Sequence, residues 1–279
     1  MRTVDLADEI ERLLALPAEQ VRQVGMATVR EFREGLTKGN YRAAEKTADG
    51  WRTNIWVKRG ILLLFKAGVV ESMSNPDEFG FFDKDTLPVK TLALEARVRV
   101  VPGGSSIRDG AYVAPGVVCM PPMFINIGAY VDEGTMVDSH ALVGSCAQIG
   151  KRVHLSAAAQ IGGVLEPPGA LPVIVEDEAF VGGNCGVYEG VLVRERAVLA
   201  PGVILTAGTA VYDLARSQVY RKTKDSPLTI PAGAVVVPGS RPASGEFAET
   251  NHIALYVPVI VKYRDEKTDA ATMLEEALR

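Results

Sequence analysis

The chain has 279 residues and a formal net charge of −4 at pH 7. A mildly acidic chain without a dense run of lysine or arginine is not expected to have nucleic acid or an anionic membrane as its main partner. Three cysteines, an odd number, argue against a disulfide scaffold and favour a reducing cytoplasm. Since the longest apolar run, ILLLF at 61–65, is far short of the about 20 residues that span a bilayer, and the acidic N-terminus lacks a signal-peptide pattern, we expect a soluble cytoplasmic protein.

Residues 1–90 are predicted to form an N-terminal helical domain. Apolar residues recur there at steps of three and four, the spacing of a buried helical face, in three segments: 6–14, 29–36 and 53–65. We expect the first helix to be capped by Asp5 and to end at Pro17. The turn-rich stretch 75–88 predicts a linker. The favoured interpretation of this domain is a packing or assembly module.

From residue 107 onward, an apolar side chain occurs at every sixth position, in a series that breaks once and then resumes in phase. The positions are Ile107, Val113, Cys119, Ile125, Val131, Val137, Val143, Ile149, Leu155, Ile161, then Val175, Val181, Val187, Val193, Leu199, Leu205 and Val211. Glycine often occupies the fourth position of the hexad, where the chain must bend. This period predicts a mainly β protein whose residues 91–213 form a parallel β-helix of hexapeptide repeats.

In such a fold each hexad supplies one short strand and one corner, and three hexads form a triangular coil. The coils stack about 4.8 Å apart through ladder hydrogen bonds, with the first position of each hexad pointing inward. Proteins built from this repeat wind left-handed, an exception to the usual crossover rule. Cys119 and Cys185 take inward positions, so we expect them to be inert core residues.

The break in the series predicts an external loop at about 162–174, because the repeat resumes in phase after eight extra residues. A loop that leaves a regular scaffold is a candidate functional element. After the repeat, residues 214–279 are predicted to form a C-terminal extension of strands and a helix. That helix is expected over 268–279, with Asp269 as its N-cap.

The motifs GAYVDEGTMVD, VGSCAQIGK and IGGVLEP, with RVRVVPGG upstream and VYEGVLV downstream, resemble those of the 2,3,4,5-tetrahydropyridine-2,6-dicarboxylate N-succinyltransferases. The resemblance covers most of the chain. It implies a homotrimer that transfers the succinyl group of succinyl-CoA to the amino group of a ring-opened dicarboxylate, on the route to diaminopimelate and lysine. Succinyl-CoA would be a co-substrate, with no permanently bound cofactor and no metal.

The same resemblance implies roles for particular residues. Arg99, in the RVVP motif, corresponds to a substrate-binding arginine, Asp138 to a substrate-binding and catalytic aspartate, and Glu189 to a second catalytic carboxylate. The chemistry asks for these residue types, since a carboxylate can accept the proton of an attacking amine and arginine pairs bidentately with a carboxylate. Candidate CoA-binding residues are Ser156, Gly162, Gly163, Lys222 and Lys224.

Hexad counting predicts where the two carboxylates lie. With Ile107 in hexad zero, Asp138 falls in hexad five and Glu189 in hexad twelve. Because seven is not a multiple of three, the two residues project from different faces of one prism, more than two coils apart. We therefore expect a working site to pair Asp138 of one subunit with Glu189 of its neighbour, and clefts between subunits to be the natural ligand sites.

The sequence departs from the family pattern at two places. Ser139-His140 replaces the usual Thr-Trp after the aspartate, which changes the pocket wall. Asn184 stands where a carboxylate-binding arginine is expected, with Arg194 or Arg196 as possible substitutes.

Other interpretations remain open. His140 or His154 could serve as a general base, and position alone does not distinguish Asp138 from Asp132, which occupies the equivalent hexad position. A metal-dependent carbonic anhydrase on the same scaffold would need three histidine ligands, but the third histidine, His252, lies outside the repeat. A related acyltransferase using acetyl-CoA or an amino-sugar acceptor, and a non-catalytic scaffold, are the remaining alternatives.

Overall fold

The structure, a computed structural model, describes residues 3–74 and 80–265. Within these ranges the chain is mainly β, with many short strands and few helices. None of the helices in the described ranges has both the length and the apolar character needed to cross a membrane.

The N-terminal part combines helices with two antiparallel strand pairs. The helices are α1 (Thr3–Leu14), α2 (Ala18–Val24), α3 (Met26–Thr37) and α4 (Ile55–Ala67). The strand pairs are β1 (Ala44–Thr47) with β2 (Gly50–Thr53), and β3 (Val70–Ser72) with β4 (Phe82–Lys84). The helices pack around one apolar core whose largest members include Leu6, Phe32 and Ile61.

The structure confirms helices in the three predicted segments and corrects their details. Asp5 lies inside α1, which begins at Thr3, so the predicted N-cap is wrong. The linker prediction is wrong for residues 82–84, because they pair antiparallel with β3. Residues 75–79 lie outside the described ranges.

Residues 99–263 contribute the remaining strands. In chain order these are β5 (Arg99–Val100), β6 (Ser106–Ile107), β7 (Tyr112–Val113), β8 (Val118–Cys119), β9 (Phe124–Ile125), β10 (Tyr130–Val131), β11 (Met136–Val137), β12 (Leu142–Val143), β13 (Gln148–Ile149), β14 (His154–Leu155), β15 (Gln160–Ile161), β16 (Ile174–Val175), β17 (Phe180–Val181), β18 (Gly186–Val187), β19 (Leu192–Val193), β20 (Val198–Leu199), β21 (Ile204–Leu205), β22 (Val211–Asp213), β23 (Gln218–Tyr220), β24 (Thr229–Ile230), β25 (Ala234–Pro242) and β26 (Ala254–Tyr263). A short helix, α5 (Glu246–Thr250), precedes β26.

These strands form three parallel ladders, which are the faces of a triangular prism. Face I contains β6, β9, β12, β15, β18 and β21, and face II contains β7, β10, β13, β16, β19 and β24. Face III runs from β5 through β8, β11, β14, β17 and β20 to β25, and is extended by β26, β22 and β23. The chain passes from face III to face I to face II, and we name the corners III–I, I–II and II–III accordingly.

The inward positions of the hexads form the core of the prism, as the repeat predicts. Every first-position side chain from Ile107 to Val211 is buried, and the apolar residues at the fifth position of the hexads, from Ala111 to Val203, lie in the same cluster. The glycines at the fourth position have φ between 68° and 91° at Gly110, Gly116, Gly128, Gly134, Gly190 and Gly202. Left-handed backbone of this kind costs glycine little, which explains its recurrence at the bends.

The last predicted hexad leaves the prism. Val211 is buried in the core, but its strand β22 pairs with β23 and β26 and does not continue face II. The next rung of face II is β24, where Ile230 aligns with Val193. The prediction that residue 211 starts another regular hexad is therefore wrong, because a segment further along the chain supplies that rung.

The C-terminal strands are confirmed. β25 and β26 form a long antiparallel hairpin that continues face III. The helix predicted at 268–279, with Asp269 as its cap, lies outside the described residues.

The break in the repeat is an external arm, as predicted. It occupies residues 162–173, between β15 and β16. Face II continues beneath the arm without a register shift, because Ile149 pairs with Val175 and Val175 with Val193.

The N-terminal part packs on face II. The Arg42 guanidinium lies 3.7 Å from the centre of the Tyr130 ring, and its Nε donates to Gln148 Oε1 at 3.0 Å. Ile127 and Cys146, at corner I–II, join the core of the N-terminal helices.

Candidate active site

The predicted site residues fall into two groups on different parts of the prism. Arg99 begins β5 on face III and is exposed. It is in register with Val118, which pairs with Met136, which in turn pairs with His154. With rungs about 4.8 Å apart, Arg99 lies about two rungs from the strand that Asp138 follows.

Asp138 lies at corner III–I beside a histidine. Its Oδ1 accepts from the backbone N–H of Ser139 at 2.7 Å, and its Oδ2 lies 3.9 Å from His154 Nε2. The His154 side chain is 13% exposed, and its ring meets Phe180 edge-on with centroids 5.0 Å apart. An aspartate and an imidazole are therefore close enough to share a proton after a small side-chain movement.

Ser156 lies one coil beyond Asp138 at the same corner. Its Oγ is buried, and no hydrogen-bond partner for it is present among the described residues. A buried hydroxyl normally has a partner, and the described residues of one chain leave this one unsatisfied.

The residues that depart from the family pattern are at this corner as well. His140 and Asn184 have φ of 61° and 56°, at the bends of two coils whose intermediate bend is Ala158. Arg194 and Arg196, the possible substitutes for the expected arginine, lie at corner II–III. There Arg194 pairs with Glu176 at 2.8 Å and Arg196 with Glu178 at 3.4 Å. The structure does not bring either arginine to the corner of Asn184.

The second group lines a groove of about 810 Å³ between face I and the arm. Half of its twelve lining residues come from the arm, and the set is Leu142, Gly162, Gly163, Val164, Glu166, Pro167, Ala170, Tyr188, Glu189, Thr206, Ala207 and Lys222. It thus contains Glu189, Gly162, Gly163 and Lys222 from the predicted site. Arg99, Asp138, Ser156 and Lys224 do not line it.

Glu189 lies at corner I–II on a tight bend. Its φ is 55° and that of Gly190 is 75°, so two successive residues adopt the left-handed backbone. Its Oε2 accepts from the backbone N–H of Ala207 at 3.0 Å, which holds the carboxylate on the next coil at the groove wall.

Gly162 and Gly163 have a packing role besides any role in binding. A Cβ atom on Gly162 would lie 2.7 Å from Tyr188 Cδ1, and one on Gly163 would lie 2.8 Å from the backbone nitrogen of Ser145. Both distances are shorter than real Cβ contacts, so a side chain at either position would force neighbouring atoms to shift where the arm leaves the prism.

The two carboxylates lie where hexad counting predicts. Asp138 follows β11 on face III, and Glu189 follows β18 on face I. β18 is two rungs beyond β12, the face I strand that comes directly after Asp138. The groove of one chain therefore contains only one of the two acids.

The carboxylate with the most strongly perturbed pKa lies outside both groups. Glu176, 4% exposed at corner II–III, accepts from Trp51 Nε1 and Lys46 Nζ at 2.8 Å each, and Arg194 Nε lies 2.8 Å from it. Burial alone would raise its pKa, but hydrogen bonds from Glu195 N–H, Lys46 and Trp51 and the charge of Arg194 lower the pKa to about 2. This cluster anchors the β1–β2 hairpin to the prism.

All three cysteines are free and buried. Burial raises the pKa of Cys119 and of Cys146 to about 12, and it also raises the pKa of Cys185. Because the thiolate is the nucleophilic form, these thiols are unreactive at neutral pH, as expected for Cys119 and Cys185. Among the described residues, no three His, Cys, Asp or Glu side chains form a group that could hold a metal ion.

Sequence reasoning missed Lys58, which the arm contacts. It lies in α4 on a buried apolar face, and a lysine three residues before Ile61 in that pattern is the signal that could have found it.

Two family models match parts of the chain. The N-terminal model of tetrahydrodipicolinate N-succinyltransferase matches residues 5–67, and the hexapeptide repeat of succinyl-transferase matches residues 172–207. Together with the prism and its groove, these matches define a hexapeptide-repeat acyltransferase.

Similar chains over most of the length come from several bacteria. 2,3,4,5-Tetrahydropyridine-2,6-dicarboxylate N-succinyltransferase of Afipia carboxidovorans is 44% identical, over 88% of this chain and 86% of its own. The protein of the same name from Acinetobacter baylyi is also 44% identical, over 90% and 88%. The chain therefore belongs to the tetrahydrodipicolinate N-succinyltransferase family and is a CoA-dependent N-acyltransferase, which confirms the family predicted from the motifs.

A solved structure shares the fold. The chain matches a 2,3,4,5-tetrahydropyridine-2-carboxylate N-succinyltransferase of Campylobacter jejuni with a TM-score of 0.53 and 14% identity, over 90% of this chain and 65% of that one.

Proposed function

We propose that this enzyme transfers the succinyl group of succinyl-CoA to the amino group of ring-opened tetrahydrodipicolinate, 2-amino-6-oxopimelate, in diaminopimelate and lysine biosynthesis. The observation that carries the proposal is the 44% identity, over 88% of the chain, with a protein named for this reaction. The presence of Arg99, Asp138 and Glu189 at the motif positions supports it.

The proposed chemistry is direct transfer. The unprotonated amine of the acceptor attacks the thioester carbonyl carbon, the new C–N bond forms, and the C–S bond breaks to release CoA as a thiol. Asp138 accepts the proton that the amine loses, and the 3.9 Å separation from His154 gives that proton a second acceptor nearby. Arg99, exposed on the same face, pairs with a carboxylate of the acceptor.

Glu189 and the groove serve the donor side in this proposal. The apolar and glycine-rich wall accepts the acyl-pantetheine chain. The N–H of Gly162 is donated to Val187 O at 2.8 Å, so the backbone N–H of Gly163 is the group that stabilises the oxyanion in this proposal. Lys222 in the groove, and Lys224 two residues further on, face the phosphates of CoA. Ser156 is the remaining CoA-binding candidate, through its buried Oγ.

We propose that the working enzyme is a homotrimer of left-handed prisms in the cytoplasm, with each site shared between neighbours. The separation of Asp138 and Glu189 onto corners III–I and I–II supports a shared site, because a neighbouring prism can bring the second acid opposite the first.

Thiol release measured with 2-aminopimelate as an acceptor analogue tests the reaction. We expect release from succinyl-CoA to depend on the acceptor and to exceed release from acetyl-CoA. Preference for acetyl-CoA would mean that the donor is acetyl-CoA, and activity only with an amino sugar would mean that the acceptor is an amino sugar. If no combination of donor and acceptor gave acceptor-dependent thiol release, the result would favour the non-catalytic scaffold.

A further inference from the structure

The arm is bound by the N-terminal helices as well as by the prism. Val164 packs against the prism core, whereas the next residue, Leu165, packs against the helical core. The arm therefore bridges the two cores while it lines half of the groove.

The polar contact in this bridge comes from Lys58 of α4. The Lys58 side chain is 0% exposed, and its Nζ donates to Ala170 O at 2.8 Å and to Pro167 O at 3.3 Å. Thr53 Oγ1 donates weakly to Ala170 O, at 3.4 Å. Pro167 and Ala170 both line the groove, so the Lys58 ammonium binds the backbone of this groove wall from the side opposite the groove.

Burial of the Lys58 ammonium is unfavourable for the stability of the protein if only the packing of α4 is considered. Across residues 3–74 and 80–265, no carboxylate lies at ion-pair distance from Lys58 Nζ, and the neighbouring buried residues of α4 are apolar. Burial lowers the pKa of Lys58. An unpaired buried charge is unfavourable, and an apolar side chain of the same length would suit the helical core better.

The arm explains why a donor is needed at this position. Once the chain leaves the β ladder, its carbonyl groups lose their strand partners and must find others. Pro167 O accepts from Ala170 N–H at 2.9 Å, which forms a turn. Ala170 O accepts from side chains, Lys58 Nζ at 2.8 Å and, more weakly, Thr53 Oγ1 at 3.4 Å, so Lys58 is the stronger donor to this carbonyl.

We propose that Lys58 is a positioning residue for acyl transfer: it fixes the arm of 162–173 so that the groove is open and preformed before the donor binds. This inference rests on the proposed function in one respect, namely that the groove takes the acyl-CoA. It gives the N-terminal helices a part in donor binding, because Lys58 supplies the charged contact by which they hold one wall of the groove.

The test replaces Lys58 by methionine, which has similar length and no donor. We expect the Lys58→Met enzyme to keep its kcat within about twofold and to raise KM for succinyl-CoA about tenfold, the effect of losing one charged hydrogen bond. Amide hydrogen exchange over 163–173 should accelerate, while the Tm should change little, because the removal of a buried charge offsets the lost hydrogen bond to Ala170 O.

Lys66→Met is the matched control. Lys66 lies on the same helix and also donates to a backbone carbonyl, but its acceptor, Leu14 O at 2.6 Å, belongs to α1 and not to the arm. KM and exchange in the arm should be unchanged in this variant. If Lys58→Met does not fold, Lys58→Gln, which keeps a neutral donor, should show a KM between those expected for the wild type and for Lys58→Met.

The outcomes separate the two ideas. A wild-type protein without acyl transfer would overturn the proposed function, and the exchange measurement would still decide whether Lys58 fixes the arm. The inference would be overturned by a folded Lys58 variant whose KM for succinyl-CoA and whose amide hydrogen exchange in the arm both equal those of the wild type. A lower Tm with unchanged KM would mean that Lys58 is only structural, which also overturns it.

Discussion

The corner acids of the prism differ in their neighbours and not in their local turns. Asp132 Oδ1 accepts from the next N–H at 2.8 Å, and Asp138 Oδ1 does the same at 2.7 Å. Only Asp138 has an imidazole on the adjacent coil, 3.9 Å away. The role of each acid is therefore set by the side chains stacked above and below it.

Glu176 allows a prediction at this scale. Since its pKa is lowered to about 2 in the folded protein, its ionised form stabilises the fold above the ordinary pKa of glutamate. That contribution is lost as the pH falls from about 4.5 towards 2. We expect Glu176→Gln to reduce the free energy of unfolding at pH 7 by about 2 kcal/mol. This loss is smaller than that expected when one partner of a fully buried ion pair is removed, because the partners Lys46 and Arg194 are half exposed. Urea unfolding at pH 7 and at pH 3 measures it.

The difference between Glu176→Gln and the wild type should shrink at pH 3. Glu133→Gln is the control, since Glu133 is exposed and lies 3.7 Å from Lys151, and it should cost less than about 0.5 kcal/mol. Equal losses for the two variants at pH 7 would contradict the anchoring role of Glu176.

The arm depends on close backbone packing where it leaves the prism. The Cα of Gly144 faces the backbone of Gly162 and Gly163 so closely that a Cβ would overlap them. A side chain at Gly144 would therefore have to displace the first residues of the arm.

We expect Gly144→Ala to displace the start of the arm, to destabilise the protein by about 1–3 kcal/mol and to lower kcat/KM for succinyl-CoA. Gly169→Ala is the control within the arm, because a Cβ there meets nothing within 4 Å. Urea unfolding and steady-state kinetics measure both variants. A Gly144→Ala enzyme as stable and active as Gly169→Ala would show that the arm does not depend on this contact.

For the whole molecule, the separation of Asp138 and Glu189 leads to a complementation prediction. In the proposed homotrimer, the Asp138→Asn and Glu189→Gln variants should each be inactive. After subunit exchange at equal concentrations, about a quarter of the interfaces pair an intact aspartate with an intact glutamate in a closed ring, so about a quarter of wild-type activity should return. Activity is followed by thiol release, and exchange is verified by mass spectrometry of the mixed assemblies.

The double variant Asp138→Asn/Glu189→Gln, mixed with either single variant, is the control and should give no recovery. If the mixture of the two single variants shows no thiol release after verified subunit exchange, both acids must act in a site within one subunit.

The hexad period by itself determined the prism, its inward residues and the position of the arm. Each coil of eighteen residues must bury side chains at the same positions of its hexads. The pattern is therefore local, and it can be identified in the sequence from Ile107 to Leu205. The separation of Asp138 and Glu189 onto different faces followed from the same counting. Their motif positions, in turn, supported the family assignment.

The tertiary structure decided what joins distant segments. Strand β24 replaces the hexad at Val211, Trp51 reaches Glu176 across 125 residues, and Lys58 reaches Pro167 across 109. No local period encodes these contacts, because they depend on which surfaces meet once the coils have stacked and the helices have packed on face II. The groove exists for the same reason: its walls come from chain segments that only folding brings together.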